Sequence, residues 1–351
     1  MSIPTSSGAI PPDDNQSLPV VPEKKPQSFF RKYRSLLLRL GCTLVLLAFL
    51  LRSVSWVDLL RQAAHLDPGM LLIGIALGFY GIVVSSYQWQ SLLDAEHIVL
   101  DLRRLVNLYT IGIAFNHFLP TGMGGDVVKT YYVAKEGRNM AGSASAVLMS
   151  RMTGFFAMIL ASLPAFLFWH MLIARQIKIG YILACMAMLT VLGLAYLLVE
   201  FLPRFSRLRW LPSCLIPSLL QLGQALRASF RRPRTLGIAT LFGLLYHIGY
   251  IVNFYIYGLL LHISVPLPFY MIAIPLVSII AFFPFSINGF GVREGAFVLL
   301  FSTVHVPVPT AMLLILLMDA QVLLFGMVGG VLYLTSGLKH EQMEISLGTG
   351  V

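Results

Sequence analysis

Long apolar runs fill most of this chain, and they leave it few ways to fold. They cover roughly 35–51, 69–92, 102–119, 141–170, 179–202, 235–260, 268–287 and 309–335. Most approach the ~20 residues that a helix needs to cross a bilayer core. In hydrocarbon every backbone N–H and C=O must find its partner within the chain, so such runs become helices packed side by side. Of the 351 residues 57% are hydrophobic and only 11% charged, against about 25% charged in an ordinary soluble domain. A water-soluble globule, a disordered chain and a disulfide scaffold are thereby excluded. The expected fold is an all-α polytopic membrane protein.

Two of the runs end on helix breakers. Pro120 and Gly122, Gly124 and Gly125 fall within six residues, followed by Asp126 and Lys129. Asn288-Gly289-Phe290-Gly291 is followed by Arg293 and Glu294. Proline and clustered glycine stop a helix, and non-helical backbone at membrane depth survives only when buried in protein or lining a wet cavity. Charge counts point the same way. Residues 203–234 carry seven arginines and no acid, which marks a cytoplasmic segment. That segment faces inward only if 102–137 enters and returns without crossing. The expected architecture is therefore about six full transmembrane helices plus two re-entrant broken-helix hairpins, with an inverted repeat raised by the similarity of the two breaks. Residues 1–32 are expected to be a disordered cytoplasmic tail, 33–337 the membrane domain, 203–234 a basic cytoplasmic loop and 338–351 a short cytoplasmic tail. The whole is placed as a multi-pass protein of the cell membrane with both termini inside.

The net charge of +10 sits at the ends of apolar runs, where positive-inside anchors and anionic-lipid contacts belong, so nucleic acid is not the expected partner. The informative charges are those within or beside apolar runs: Asp126, Lys129, Arg151, Arg293, Glu294 and Asp319. Each costs about 2.5–3.5 kcal/mol to insert on translocation scales, and intramembrane charges mark functional sites by default. A broken helix also turns free N–H groups and a positive dipole end into the space it opens, which can hold a phosphate or carboxylate. The candidate substrate-binding set is Asn116, Gly122, Gly124, Gly125, Asp126, Lys129, Arg151, Asn288, Gly289, Gly291, Arg293, Glu294 and Asp319. The competing reading is a set of internal ion pairs that only holds helices together. His117 and His247 read as structural histidines.

No catalytic residue, metal site or cofactor is expected. The segment from Gly122 to Lys129 is not a P-loop, because glycine does not directly precede the lysine. No G-x-S-x-G or H-E-x-x-H occurs, and the eight histidines and three cysteines show no zinc spacing.

The paired motifs, Asn116-x-x-x-Pro120-x-Gly122-x-Gly124-Gly125-Asp126 with Arg151-x-x-Gly154, then Pro284-x-Ser286-x-Asn288-Gly289-x-Gly291-x-Arg293-Glu294-Gly295, resemble the lysylphosphatidylglycerol synthase transmembrane (flippase-like) family over roughly 33–337. The resemblance implies a polytopic membrane protein of bacterial or archaeal type whose relatives move an aminoacylated phospholipid between leaflets. It carries no expectation of lysyl transfer, since this sequence shows no synthase domain. Ser150 stands where relatives often have an acid beside the arginine that matches Arg151. The expected function is a lipid transporter that moves or binds a phospholipid, or a related head group, in a polar intramembrane groove. The alternative is a membrane subunit or enzyme of lipid or glycan-lipid modification. Expected partners are membrane lipids, above all anionic phospholipid, with a second copy or a biosynthetic partner protein left open.

Overall fold

The structure, a computed structural model, describes residue 61 and residues 66–118, 123–169, 175–205, 216–282 and 289–336. The tail 1–32, the first apolar run 35–51 and the tail 338–351 lie outside the described residues. Within them the chain forms ten helices and no strand: α1 Pro68–Ala95, α2 Leu102–Phe118, α3 Gly124–Gly137, α4 Met140–Trp169, α5 Arg175–Phe205, α6 Ile216–Phe230, α7 Pro233–Leu260, α8 Leu267–Phe282, α9 Val292–Ser302 and α10 Val308–Thr335. The all-α polytopic membrane fold expected from the apolar runs is the one observed.

Five of these helices, α1, α4, α5, α7 and α10, are long and apolar enough to cross a bilayer. At 1.5 Å per residue a 28-residue helix such as α1 or α7 extends about 42 Å, more than the ~30 Å hydrocarbon core. α1 starts on a cap dictated by sequence: Asp67 Oδ1 accepts the Gly69 N–H at 2.7 Å, with Pro68 in the first turn.

α1 and α7 lie antiparallel and make the most extensive helix–helix contact. Glycines set how closely they approach. A Cβ on Gly74 would strike the Tyr257 ring, and one on Gly249 would meet the Tyr80 ring at 2.7 Å. This is small-residue packing, which compensates for the absence of a hydrophobic drive between helices in lipid. One apolar cluster joins α7, α8, α9 and α10 around Tyr257, Tyr270, Phe297 and Phe301. A second joins α1, α2 and α3 around Trp89, Leu92, Leu105, Leu108 and Val133. α5 contributes little to either: 6% of its apolar window is buried, against 44% for α10. Its side chains are left for lipid.

Both interrupted runs fold back on themselves. In α2–α3, Gly125 packs on Gly112 and Asn116 while Lys129 lies against Gly112, and further along Gly137 meets Ile98. In those pairings residue numbers rise on one arm as they fall on the other, which means antiparallel helices. In α8–α9, Gly289 meets Ala281 and Phe269 meets Phe301 edge-on at 5.3 Å, again antiparallel. Gly289 and Gly291 have φ of +78° and +83°, a region closed to residues with a Cβ except at a cost. α2, α3, α8 and α9 have 17, 14, 16 and 11 residues. All but the first are shorter than a full crossing requires.

The basic 203–234 segment is not loop throughout. α6 occupies its second half because Leu222, Leu226 and Phe230 fall on one helical face and pack on the second cluster. Arg227 Nε donates to the Val199 carbonyl at 3.1 Å and approaches Glu200 at 3.5 Å, and Ser229 Oγ donates to Glu96 at 2.8 Å.

Candidate functional site

The α2–α3 hairpin, α1, α4 and α7 enclose a partly open cavity of about 320 Å³. Its position follows from the helices that line it. Arg151 is the twelfth of thirty residues in α4 and His247 the fifteenth of twenty-eight in α7, so the cavity sits near mid-length of two spans. The residues next to the break reach that level: Asn116 near the end of α2, and Asp126 and Lys129 at the start of α3. Glycine makes the room. Gly112, Gly154 and Gly243 all line the cavity, and a Cβ on Gly154 would meet nothing within 4 Å. A Cβ on Gly125 would overlap the Gly112 carbonyl, so glycine at 125 is what lets the two arms of the hairpin close.

Asp126 is the hub. One carboxylate oxygen takes Lys129 Nζ at 2.8 Å and the other takes Arg151 Nε. It also sits in the first turn of α3, where the helix dipole favours negative charge. Asn116 Oδ1 accepts the Gly125 N–H at 2.8 Å, so one free amide of the broken helix is already satisfied. Lys129 is held on every side. Its ammonium lies 4.6 Å from the Tyr109 ring centroid and 5.5 Å from that of Trp89, and its side chain is 10% exposed. Arg151 differs: its side chain is 31% exposed, and its terminal nitrogens have no hydrogen-bond partner among the described residues. Two cations and one carboxylate leave the lining with one net positive charge. That arrangement can bind an anion, with Arg151 as the adjustable contact and Lys129 as a fixed charge behind it.

The second break builds a different object. Glu294 Oε2 accepts the Gly291 N–H at 2.5 Å, and its other oxygen takes Arg293 Nη2 at 2.8 Å. Arg293 also pairs with Asp319 on α10 and lies 5.8 Å from the Phe290 ring centroid. Here one cation faces two acids, Glu294 is 2% exposed, and none of these residues lines the 320 Å³ cavity. The candidate residues therefore separate. Asn116, Asp126, Lys129 and Arg151 meet in one chamber, with Gly124 and Gly125 buried at the end of α3 that delimits it. Gly289, Gly291, Arg293, Glu294 and Asp319 form a second cluster that ties α9 to α10. Gly122 and Asn288 lie outside the described residues.

The cavity also contains residues that the local motifs do not announce. Gln88 Nε2 donates to Thr153 Oγ1 at 3.1 Å, and Ser85, Tyr109, Tyr246 and His247 complete the wall. Gln88 and His247 are polar residues within apolar runs, and that placement is the available signal. Among the described residues no group of three or more His, Cys, Asp or Glu could hold a metal ion.

Fold and cavity together define an all-α, multi-pass membrane protein with a net-cationic chamber between its spans. The family model for the lysylphosphatidylglycerol synthase TM region matches residues 36–330, and the chain belongs to that family. It is thus a membrane protein related to lipid modification or transport. No curated protein and no solved structure matches it.

Proposed function

We propose that the protein is a lipid transporter of the cell membrane that takes an anionic phospholipid head group into the Asn116–Asp126–Lys129–Arg151 chamber and passes it between leaflets. In this reading both termini are cytoplasmic and the acyl chains face the bilayer. The observation that carries it is the chamber itself: a cavity of about 320 Å³ near the middle of two spans, with one net positive charge and an arginine whose terminal nitrogens have no hydrogen-bond partner among the described residues and could fork onto phosphate oxygens. A mere packing device would have no use for such a volume. Burying polar surface there without a ligand or water is unfavourable. The family's link to lipids supports the choice of ligand class. Arg293, Glu294 and Asp319 act in this reading as the brace of the second hairpin.

The test is scrambling of a fluorescent anionic phospholipid in proteoliposomes. A hydrogen bond to a charged group is worth about 1.5–3 kcal/mol, so Arg151→Gln should slow transfer about 10- to 150-fold. Transfer by Arg151→Gln at the wild-type rate, or by wild type no faster than in protein-free vesicles, would end the proposal.

A further inference from the structure

A second cavity, of about 160 Å³, adjoins the first and shares Tyr109, Ile113 and Tyr246 with it. Along the antiparallel α1–α7 pair, the first cavity is lined by Ser85, Gln88, Gly243 and His247 and the second by Gly78, Gly81, Tyr250 and Asn253. The offset is about seven residues on each helix, or roughly 10 Å. Among the described residues no charged one lines the second cavity, and Leu77, Ile82, Met318, Val322 and Phe325 make most of its wall apolar.

Polar groups interrupt that wall at Asn253, Gln321 and three tyrosines, and Asn253 Oδ1 is buried with no partner among the described residues. Gln321, at mid-length of α10 and 6% exposed, accepts two hydrogen bonds on Oε1: from Asn253 Nδ2 at 3.1 Å and from Tyr257 O–H at 2.8 Å. The two donors fix the amide and leave Nε2, which has no partner among the described residues, as an unused donor on a residue that lines the cavity. A bare stretch of α1 makes room for it, because a Cβ on Gly78 would collide with that nitrogen. An amide donor on the wall of a mostly apolar chamber is best matched by an acceptor. A neutral acceptor suits this chamber, whereas an anion would lack any counter-charge.

We infer that this second cavity receives one acyl-ester limb of the lipid whose anion occupies the first. The ester carbonyl accepts from Gln321 Nε2, and the first methylenes fill the space between Leu77, Ile113 and Phe325. The inference rests on the anion reading of the first cavity and revises it: one chain root enters the protein instead of staying in the bilayer. The volume equals about five waters at ~30 Å³ each, enough for a carbonyl and a few methylenes, so the rest of that chain lies outside. The ligand class is an ester-linked anionic glycerolipid.

An ether lipid has the same head group and chains but no carbonyl, and it supplies the test. The full chain in detergent micelles is titrated by native mass spectrometry with dioleoylphosphatidylglycerol and with its di-O-alkyl ether analogue. A neutral hydrogen bond is worth about 0.5–1.5 kcal/mol net, so wild type should favour the ester lipid about two- to tenfold. Gln321→Met should erase the preference and Arg151→Gln should weaken both lipids while keeping it. Equal binding of the two lipids by wild type, or a preference that survives Gln321→Met, overturns the inference and leaves the anion site standing. Undiminished binding of both by Arg151→Gln removes the anion site itself. Should Gln321→Met not fold, Gly81→Val decides: its Cβ would meet the Tyr246 ring at an ordinary 3.4 Å, and its methyls intrude on the second cavity. That variant should weaken both lipids severalfold and leave glycerol 3-phosphate, a head group without chains, bound as in wild type. Unchanged lipid binding by Gly81→Val also overturns the inference.

Discussion

Replacing Asp126 by Asn tests the central claim about the first cavity, that one carboxylate holds two cations together inside a membrane protein. The charge separation to Lys129 is 2.8 Å, and at an effective dielectric of about 20 the gross attraction is about 6 kcal/mol. Removing one partner of a buried pair typically costs about 3–5 kcal/mol, since the other charge is left uncompensated. Lys129 bears that cost, because Tyr109, Trp89 and Gly112 confine it. Arg151 can turn toward the cavity. Asn retains an acceptor oxygen, which places the loss near the lower end, about 3 kcal/mol. At about 2.1 cal/mol/K per residue the unfolding entropy of a chain of 351 residues is about 0.7 kcal/mol/K, so the drop should be about 4 °C. Thermal unfolding in detergent, followed by tryptophan fluorescence, measures it. The double variant Asp126→Asn/Lys129→Met removes the stranded charge and should recover most of the loss. Asp126→Asn also raises the net charge of the lining from one to two, so the less stable protein should bind an anionic lipid at least as tightly as wild type. An unchanged Tm, or a double variant less stable than the single, would refute the reasoning.

Two further outcomes follow from the hairpins. Gly125→Ala should lower stability by about 1–3 kcal/mol, the usual cost of overpacking, because its Cβ overlaps the Gly112 carbonyl, whereas Gly154→Ala, with open space around it, should unfold at the wild-type temperature; both are read as Tm. Asp319→Asn should loosen the α9–α10 brace and lower Tm without changing anionic-lipid affinity. A loss of affinity in that variant would bring the second cluster into the binding site.

The sequence discloses the spans and the two breaks well, because membrane solvation acts on one run at a time. A run is apolar or it is not, and clustered glycine with proline, as in 120–125, or Asn-Gly-x-Gly, as in 288–291, disfavours a continuous helix whatever surrounds it. The intramembrane charges are legible for the same reason. What the sequence does not disclose is how those charges are shared among partners. Nothing local says that Asp126 reaches Arg151 across twenty-five positions, or that Lys129 is enclosed by Trp89 and Tyr109 and so is a fixed charge, not a free contact. Those facts depend on how closely helices approach, and the approach is set by glycines whose consequences appear only in three dimensions: Gly112 against Gly125, Gly243 beside Gln88, Gly78 beneath Gln321. Gln88, Asn253 and Gln321 are polar residues in apolar runs, Gln88 near Ser86 and Gln90 and Gln321 near Asp319. That pattern marks them as buried and partnered without saying with what.

The likeness of the two breaks in sequence conceals a difference in electrostatics that decides their roles. In each hairpin a helix restarts after glycine with an acid in its first turn, at Asp126 and at Glu294. Glu294 folds back onto the Gly291 N–H, so the end of α9 already holds a carboxylate of its own, and a lipid anion approaching it would meet two acids and one arginine. Asp126 instead turns to Lys129 and Arg151, is outnumbered by them, and leaves a positive surface facing open volume. Anion attraction at a helix restart therefore depends less on the glycine motif than on where its first-turn acid points. By that criterion the proposed head-group site belongs to the first hairpin, and the second is occupied by its own side chain.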